Sequence, residues 1–238
     1  MKKAIDVSSY QPRILTNLII AYTPDHVIVK LYLPEESVSQ DHSRAQLLSA
    51  LANNCTVGGY IWCYSSLDPK KSVIDALKLA ASVNVKLPIL WLDIEELYFP
   101  KPWIDYAIRT CNELGQRVGI YTGRWVWNTI NVNDYGNIPL WAAQYDNNPD
   151  LSSTIMFGGW TKASGKQYSS VIIDLNVMED AVTEIQGGDL KTVIECLDII
   201  WAKVDAAQRL TSSVRIEQIL EDAKQQGIVE LKRTLGIQ

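Results

Sequence analysis

The chain has 238 residues, a hydrophobic fraction of 47%, a formal net charge of −5, and eight Trp and eleven Tyr against two Phe. That apolar content predicts a globular core and excludes a disordered chain, and the acidic balance, with no long basic run, excludes nucleic acid or an anionic membrane as the expected partner. No apolar stretch reaches the roughly 18 residues needed to span a bilayer. Residues 1–10 pass straight into a strand pattern without a signal-peptide core, which predicts synthesis in the cytoplasm. The four cysteines (Cys55, Cys63, Cys111, Cys196) stand apart, without CxxC spacing or a histidine partner, and read as reduced structural thiols. His26 and His42 both fall in loop-like contexts near the start, so neither a histidine-based triad nor a zinc centre is expected. No cofactor is implied. The excess of Trp and Tyr over Phe supplies flat apolar faces with polar edges, which suit stacking on sugars or lining a wet cleft.

The first strand is predicted over residues 4–7, AIDV, with Asp6 sharing the parity of Ala4 and Ser8. An acid inside a strand is unfavourable unless it is used or paired. A helical stretch over 13–21 leads to a second strand over 26–33. Its Lys30 reads equally as an edge lysine or as an inward lysine that neutralises acids. A helix over 43–54 follows, and then residues 57–69, where Tyr60, Trp62 and Tyr64 alternate onto one strand face. An amphipathic helix over 70–84 feeds the stretch 87–96, LPILWLDIEE.

That stretch organises the rest of the chain. Ile89, Trp91, Asp93 and Glu95 share one strand face, and Leu90, Leu92 and Ile94 share the other. Apolar residues on both faces predict a central parallel strand covered by helices, with the two carboxylates at its C-terminal end, where barrels and open α/β sheets place their chemistry. Further along, Pro100 and Pro102 open a helix running to Leu114. A fifth strand is predicted over 117–121, a short helix or turn over 124–130 and a sixth strand over 138–145, with Trp141, Ala143 and Tyr145 on one face. The last two strands are predicted over 155–160 and 171–176, close enough to form a hairpin. After residues 186–188 the pattern becomes wholly helical. Apolar stripes such as Leu197, Ile200, Trp201 and Val204 predict an appendage over 187–238 that either packs on the preceding domain or serves self-association or partner docking. The expected architecture is therefore an α/β, TIM-like eight-stranded β/α barrel over 1–186 followed by helices. Asp6, Asp93, Glu95 and Asp174, from three strands, converge at strand C-terminal ends, with aromatics lining the same mouth. Four carboxylates also suit Mg²⁺ or Ca²⁺, but the accompanying Trp and Tyr point to sugar, so no metal ligand is assigned.

Five pieces carry a resemblance: AIDVSSYQ at 4–11, LDIE at 92–95, GIYTG at 119–123, LWAAQY at 140–145 and DLN at 174–176. Together and in this order they resemble the glycoside hydrolase family 25 muramidases, the lysozymes of bacteria and phages. The resemblance covers residues 4 to about 180. It implies an eight-stranded barrel with fewer helices than a regular one, and hydrolysis of the β-1,4 bond between N-acetylmuramic acid and N-acetylglucosamine in bacterial peptidoglycan. Glu95 is then the general acid/base, with Asp93, Asp6 and Asp174 as acidic companions. An ionised Asp93 would raise the pKa of Glu95 by repulsion. Tyr64, Tyr121, Trp141 and Tyr145 are the candidate sugar contacts, Trp141 with its ring open to the cleft. The setting implied is a phage or prophage endolysin acting on the cell wall after release. The chain departs from the family at Lys30-Leu31-Tyr32-Leu33-Pro34, at Tyr60-Ile61-Trp62, and at GWTKAS over 159–164, where a Trp-Gln-Tyr-type segment is expected before the last strand. The rival reading is a non-catalytic glycan-binding or structural module.

Overall fold

A computed structural model of the chain describes residues 1–36 and 40–185. The helical appendage expected over 187–238 lies outside the described residues. Strands and helices follow as β1 (Lys2–Val7), α1 (Thr16–Tyr22), β2 (His26–Lys30), α2 (Gln40–Ala52), β3 (Thr56–Trp62), α3 (Pro69–Ala81) and β4 (Leu90–Asp93). Then come α4 (Lys101–Glu113), β5 (Val118–Gly123), α5 (Arg124–Ile130), β6 (Leu140–Ala143), β7 (Gly165–Ser170), β8 (Asp174–Met178) and α6 (Asp180–Thr183). The strands pair in chain order and close into the expected barrel. Neighbours from β1 to β7 run parallel, whereas β8 runs antiparallel to both β7 and β1. Only residues 171–173 connect β7 to β8, too few for a crossover helix, so a hairpin is the one connection available.

The barrel alternation follows the sequence parity. Ile89 and Trp91 point inward with Ala4, Ile28, Tyr60, Tyr121, Trp141 and Met178. Leu90, Leu92 and Ile94 point outward into the larger core beneath the helices, each fully buried. Complete burial of such a side chain contributes about 1.5–3 kcal/mol, so β4 is anchored from both sides. Helix α3 begins where Asp68 accepts from the Lys71 backbone N–H at 2.7 Å and Pro69 opens the first turn, a start that leaves no orphaned donor for the proline to waste.

Two sequence expectations are corrected. Residues 155–160 are not the seventh strand. Gly158 and Gly159 adopt φ of 58° and 82°, a left-handed turn that no strand accommodates. Met156, Phe157 and Trp160 pack onto the outer core instead, Trp160 against Trp127 with ring centroids 4.8 Å apart and donating its indole N–H to the Ile138 carbonyl at 2.7 Å. The strand is the polar stretch 165–170, which reads as loop because Lys166 and Gln167 are buried polar residues with dedicated partners. His26 is likewise not in a loop. It opens β2, points inward and is fully buried, its ring occupying the space left by Gly58, where a Cβ would lie 2.7 Å from Nε2.

His26 Nδ1 lies 2.8 Å from the Thr56 hydroxyl, and Nε2 has no partner among the described residues. Burial, reinforced by the charge of Lys2, lowers its pKa to about 3. In the unfolded chain the ring takes up a proton near pH 6.5, and in the fold it does not. The folded state therefore loses stability as pH falls through the window from about 6.5 to about 3, on the order of 5 kcal/mol in all. Urea unfolding of His26→Gln beside the parent at pH 7 and pH 4 checks this. The variant is expected to lose less stability on acidification. An identical loss in the two proteins would show that His26 is not held neutral.

Lys166, also fully buried, points outward from β7 into the loop after β6. Its Nζ donates to Asp146 Oδ2 and the Asn148 carbonyl at 2.9 Å each, and to Ser153 Oγ at 2.7 Å. The ammonium thus fills a cage of loop oxygens and pins residues 146–153 to the barrel wall. Asp146 keeps some contact with water, which moderates the cost of losing its partner. Lys166→Met is expected to cost about 2 kcal/mol and to make the loop after Tyr145 sensitive to protease. Limited proteolysis with mapping of the first cut checks it, and a first cut elsewhere would count against the clamp.

Candidate active site

The mouth of the barrel is built from strand ends. Asp6 sits near the end of β1 and Asp93 is the last residue of β4, with Glu95 two residues beyond. Asp174 is at the start of β8, not at a strand C-terminus as the sequence suggested. Because β8 runs antiparallel, its start lies at the same mouth, in register with Asp6. The four acids are brought together as expected, the fourth by the reversed strand.

Two amides that sequence reasoning passed over hold this cluster. Gln167 of β7 and Asn176 of β8 face each other in register. Both donate to Asp6 Oδ2 at 2.8 Å. Their far ends fix which way they point. The Trp141 indole N–H, which can only donate, meets Asn176 Oδ1 at 2.9 Å. The hydroxyls of Tyr121 and Tyr145 donate to Gln167 Oε1 at 2.6 and 2.7 Å. Each amide is thereby forced to aim its NH₂ at Asp6. Both donors fall on the one oxygen Oδ2, and among the described residues no group of three or more acids, histidines or cysteines is placed to hold a metal ion. The one sequence signal for Gln167 was misplaced. The strand before the last carries Lys166-Gln167-Tyr168, so it is this stretch, not residues 159–164, that stands where the resemblance expects Trp-Gln-Tyr.

Burial raises the pKa of all four acids. For Asp6, 5% exposed, burial and the charge of Asp174 lift it well above the usual carboxylate range, against the pull of the two amide donors. For Asp93, 3% exposed and with Oδ1 unpartnered among the described residues, burial is joined by repulsion from Glu95 and Asp6, and Lys30 opposes them. Glu95 is less buried. Burial lifts its pKa, the Tyr121 hydroxyl lowers it, and Asp174 lifts it further. The expectation that Asp93 is what raises Glu95 is therefore corrected, because burial comes first and the repulsion within this pair falls chiefly on the deeper Asp93. Asp174 rises through burial, moderated by a hydrogen bond from Ser170. Carboxyls this tightly grouped do not all ionise together, so the cluster retains a proton where isolated acids would have lost theirs.

Lys30 resolves into the inward alternative. Its Nζ pairs with Glu36 Oε1 at 2.8 Å, both side chains nearly buried, and lies 4.9 Å from the Tyr32 ring and 5.5 Å from that of Trp62. It is the cation facing Asp93. Beside it opens a cleft of about 510 Å³ lined by Ser8, Tyr10, Lys30, Tyr32, Glu36 and Tyr64, among others. Of the four aromatic candidates, Tyr64 reaches this cleft and donates to Glu36 at 3.0 Å, and Tyr145 is 54% exposed at the mouth. Tyr121 is buried. Trp141 is corrected: its ring does not open to the cleft but is 1% exposed, wedged among Tyr60, Trp91 and Tyr121 as the floor beneath the acids.

Residues 1–168 match the family model described as lysozyme-like protein 1. Among curated proteins, the chain is 33% identical over 142 residues to lysozyme-like protein 5 of Caenorhabditis elegans, covering 50% of this chain and 65% of that protein. It is 32% identical over 130 residues to the probable GH family 25 lysozyme 3 of Dictyostelium discoideum, covering 50% of this chain and 26% of that one. The chain thus spans between about a quarter and two thirds of these two relatives. Among solved structures, the muramidase of Acremonium alcalophilum superposes with a TM-score of 0.59 at 22% identity, over 82% of this chain and 99% of that one. At these identities the structural likeness speaks for the barrel.

Proposed function

The chain belongs to the lysozyme-like protein 1 family, of the glycoside hydrolase family 25 type, and from that membership we propose that it is an N-acetylmuramidase cleaving the β-1,4 bond between N-acetylmuramic acid and N-acetylglucosamine in bacterial peptidoglycan. The observation that carries the reading is the proton inventory of the mouth: a half-buried Glu95 with raised pKa just past the end of β4, backed by Asp93 and Asp6, which are buried too deeply to meet substrate themselves.

Glu95 donates its proton to the glycosidic oxygen as the C1–O bond breaks. Positive charge then builds at C1 and the ring oxygen. Asp93 and Asp6 favour that charge through the field they set up, while Gln167 and Asn176 keep Asp6 from moving toward it. A water molecule completes hydrolysis, returning its proton to the Glu95 carboxylate. The cleft beside Tyr64 and the exposed Tyr145 take neighbouring sugars. The cell wall is the place of action in this reading, as in the endolysin setting.

Digestion of purified bacterial walls, with borohydride reduction of the new ends, tests the proposal. Reduced N-acetylmuramic acid is the expected product. Reduced N-acetylglucosamine instead would move the cleavage to the other linkage, and binding to walls without new ends would favour the non-catalytic glycan-binding module.

A further inference from the structure

The inner face of β5 ends at a glycine. Tyr121 points inward in register with Asp93, so Gly123, two residues on, is inward again and level with Glu95. The level is fixed by the Thr122 hydroxyl, which donates to the Ile94 carbonyl at 2.8 Å. A Cβ on Gly123 would lie 2.6 Å from Nε1 and 3.0 Å from Cδ1 of Trp125. The Trp125 indole therefore occupies the place that a side chain at 123 would take, folded back from the first turn of α5 over the rim of the mouth. It fills no core there. The residue is 61% exposed, and its N–H meets no acceptor among the described residues.

The same edge carries a second exposed aromatic. Tyr98, 76% exposed, adopts φ of 58°, and its backbone N–H donates to Thr129 Oγ1 at 2.8 Å. Thr129 lies four residues after Trp125 and so on the same face of α5. A bulky residue in the left-handed region costs of order 1–3 kcal/mol unless its surroundings hold it there. Here the loop after Glu95 is tied to the helix face that carries Trp125.

We propose that Trp125 is a saccharide-stacking platform on the rim beside Glu95, binding a hexosamine ring of the same glycan strand through its exposed face and donating its free indole N–H to a sugar oxygen. The occupant follows from continuity with the acid mouth: a ring of the strand whose linkage reaches Glu95 passes over the rim at that level. An indole pairs an apolar face with an edge donor, which matches the alternating C–H faces and oxygens of a pyranose. The inference rests on the muramidase reading and adds a binding residue to it.

The test measures the affinity of the full chain for a tetrasaccharide of alternating N-acetylglucosamine and N-acetylmuramic acid by calorimetry, in the non-cleaving Glu95→Gln background. Steady-state kinetics of the otherwise unaltered enzyme accompany it. Trp125→Ala is expected to raise Kd and KM roughly five- to ten-fold at unchanged kcat, and Trp125→Phe, which keeps a ring, to recover most of the loss. An unchanged Kd in Trp125→Ala, a fall in kcat with KM intact, or a Trp125→Phe as weak as Trp125→Ala would each overturn the platform while leaving the muramidase reading standing. A parent that cleaves no glycan, in a background that binds none, would remove that reading and the platform with it.

Discussion

Glu95→Gln is expected to lower wall hydrolysis by at least ~10²-fold and up to ~10⁴-fold, the usual worth of a general acid, while the protein still folds and still binds glycan. Gln has the shape of a protonated Glu but no proton acidic enough to give a leaving oxygen. Glu95 and Asp174 are the two half-buried acids with raised pKa, and of these Glu95 stands just past the end of β4, beside the buried Asp93. The variant also loses one of the charges that repel Asp93. Its thermal midpoint at neutral pH is therefore expected to equal or exceed that of the parent. Release of reducing ends from purified walls, measured beside the midpoint, checks both halves. Parental activity in Glu95→Gln would place the acid elsewhere, and a collapsed midpoint would mean that Glu95 is needed for folding.

What could be read from the sequence was whatever rests on strand parity. The alternation in LPILWLDIEE assigned Trp91 and Asp93 to the inside and Leu90, Leu92 and Ile94 to the outside, since a strand has two faces and the chain fills both. The grouping of the four acids was legible for a related reason: a carboxylate inside an apolar strand is costly unless it belongs to a site. Illegible were the positions where a polar residue is buried with private partners. Lys166 and Gln167 look like loop, and only the hydrogen bonds to Asp146, Asp6, Tyr121 and Tyr145 show why a strand tolerates them. The reverse error befell Phe157 and Trp160, apolar enough for a strand yet set in a left-handed glycine turn. Parity also does not give depth. Trp141 in β6 and Trp125 in the first turn after β5 both stand near the mouth, but Trp141 is packed among Tyr60, Trp91 and Tyr121, whereas Trp125 lies past the last layer over Gly123.

Asp93→Asn separates chemistry from stability, because the same charge is expected to serve one and burden the other. Removing it withdraws the buried negative field that favours the cationic transition state, and hydrolysis is expected to fall on the order of 10²–10³-fold. The repulsion within this pair falls chiefly on Asp93, and burial with the charge of Asp174 is what lifts Glu95, so Glu95 in the variant keeps its raised pKa. The basic limb of the pH–rate profile is then expected to stay close to that of the parent. Stability moves the other way. The folded-state pKa of Asp93 lies above its unfolded value, so below about pH 4 both states are protonated and the group costs nothing. As pH rises from there through the raised folded value, the unfolded chain releases the proton first and the parent loses stability. Asn carries no proton to release and escapes that loss. Lys30 keeps its ion pair with Glu36 at 2.8 Å and is not stranded by the change. Asp93→Asn is thus expected to match the parent near pH 4 and to be more stable at pH 7, while turning over far more slowly at both. Urea unfolding at the two pH values, set beside the pH–rate profile, decides it. A variant less stable than the parent at pH 7 would mean that Asp93 is a net structural asset, and a basic limb moved to lower pH would mean that Asp93, and not only burial and Asp174, lifts Glu95.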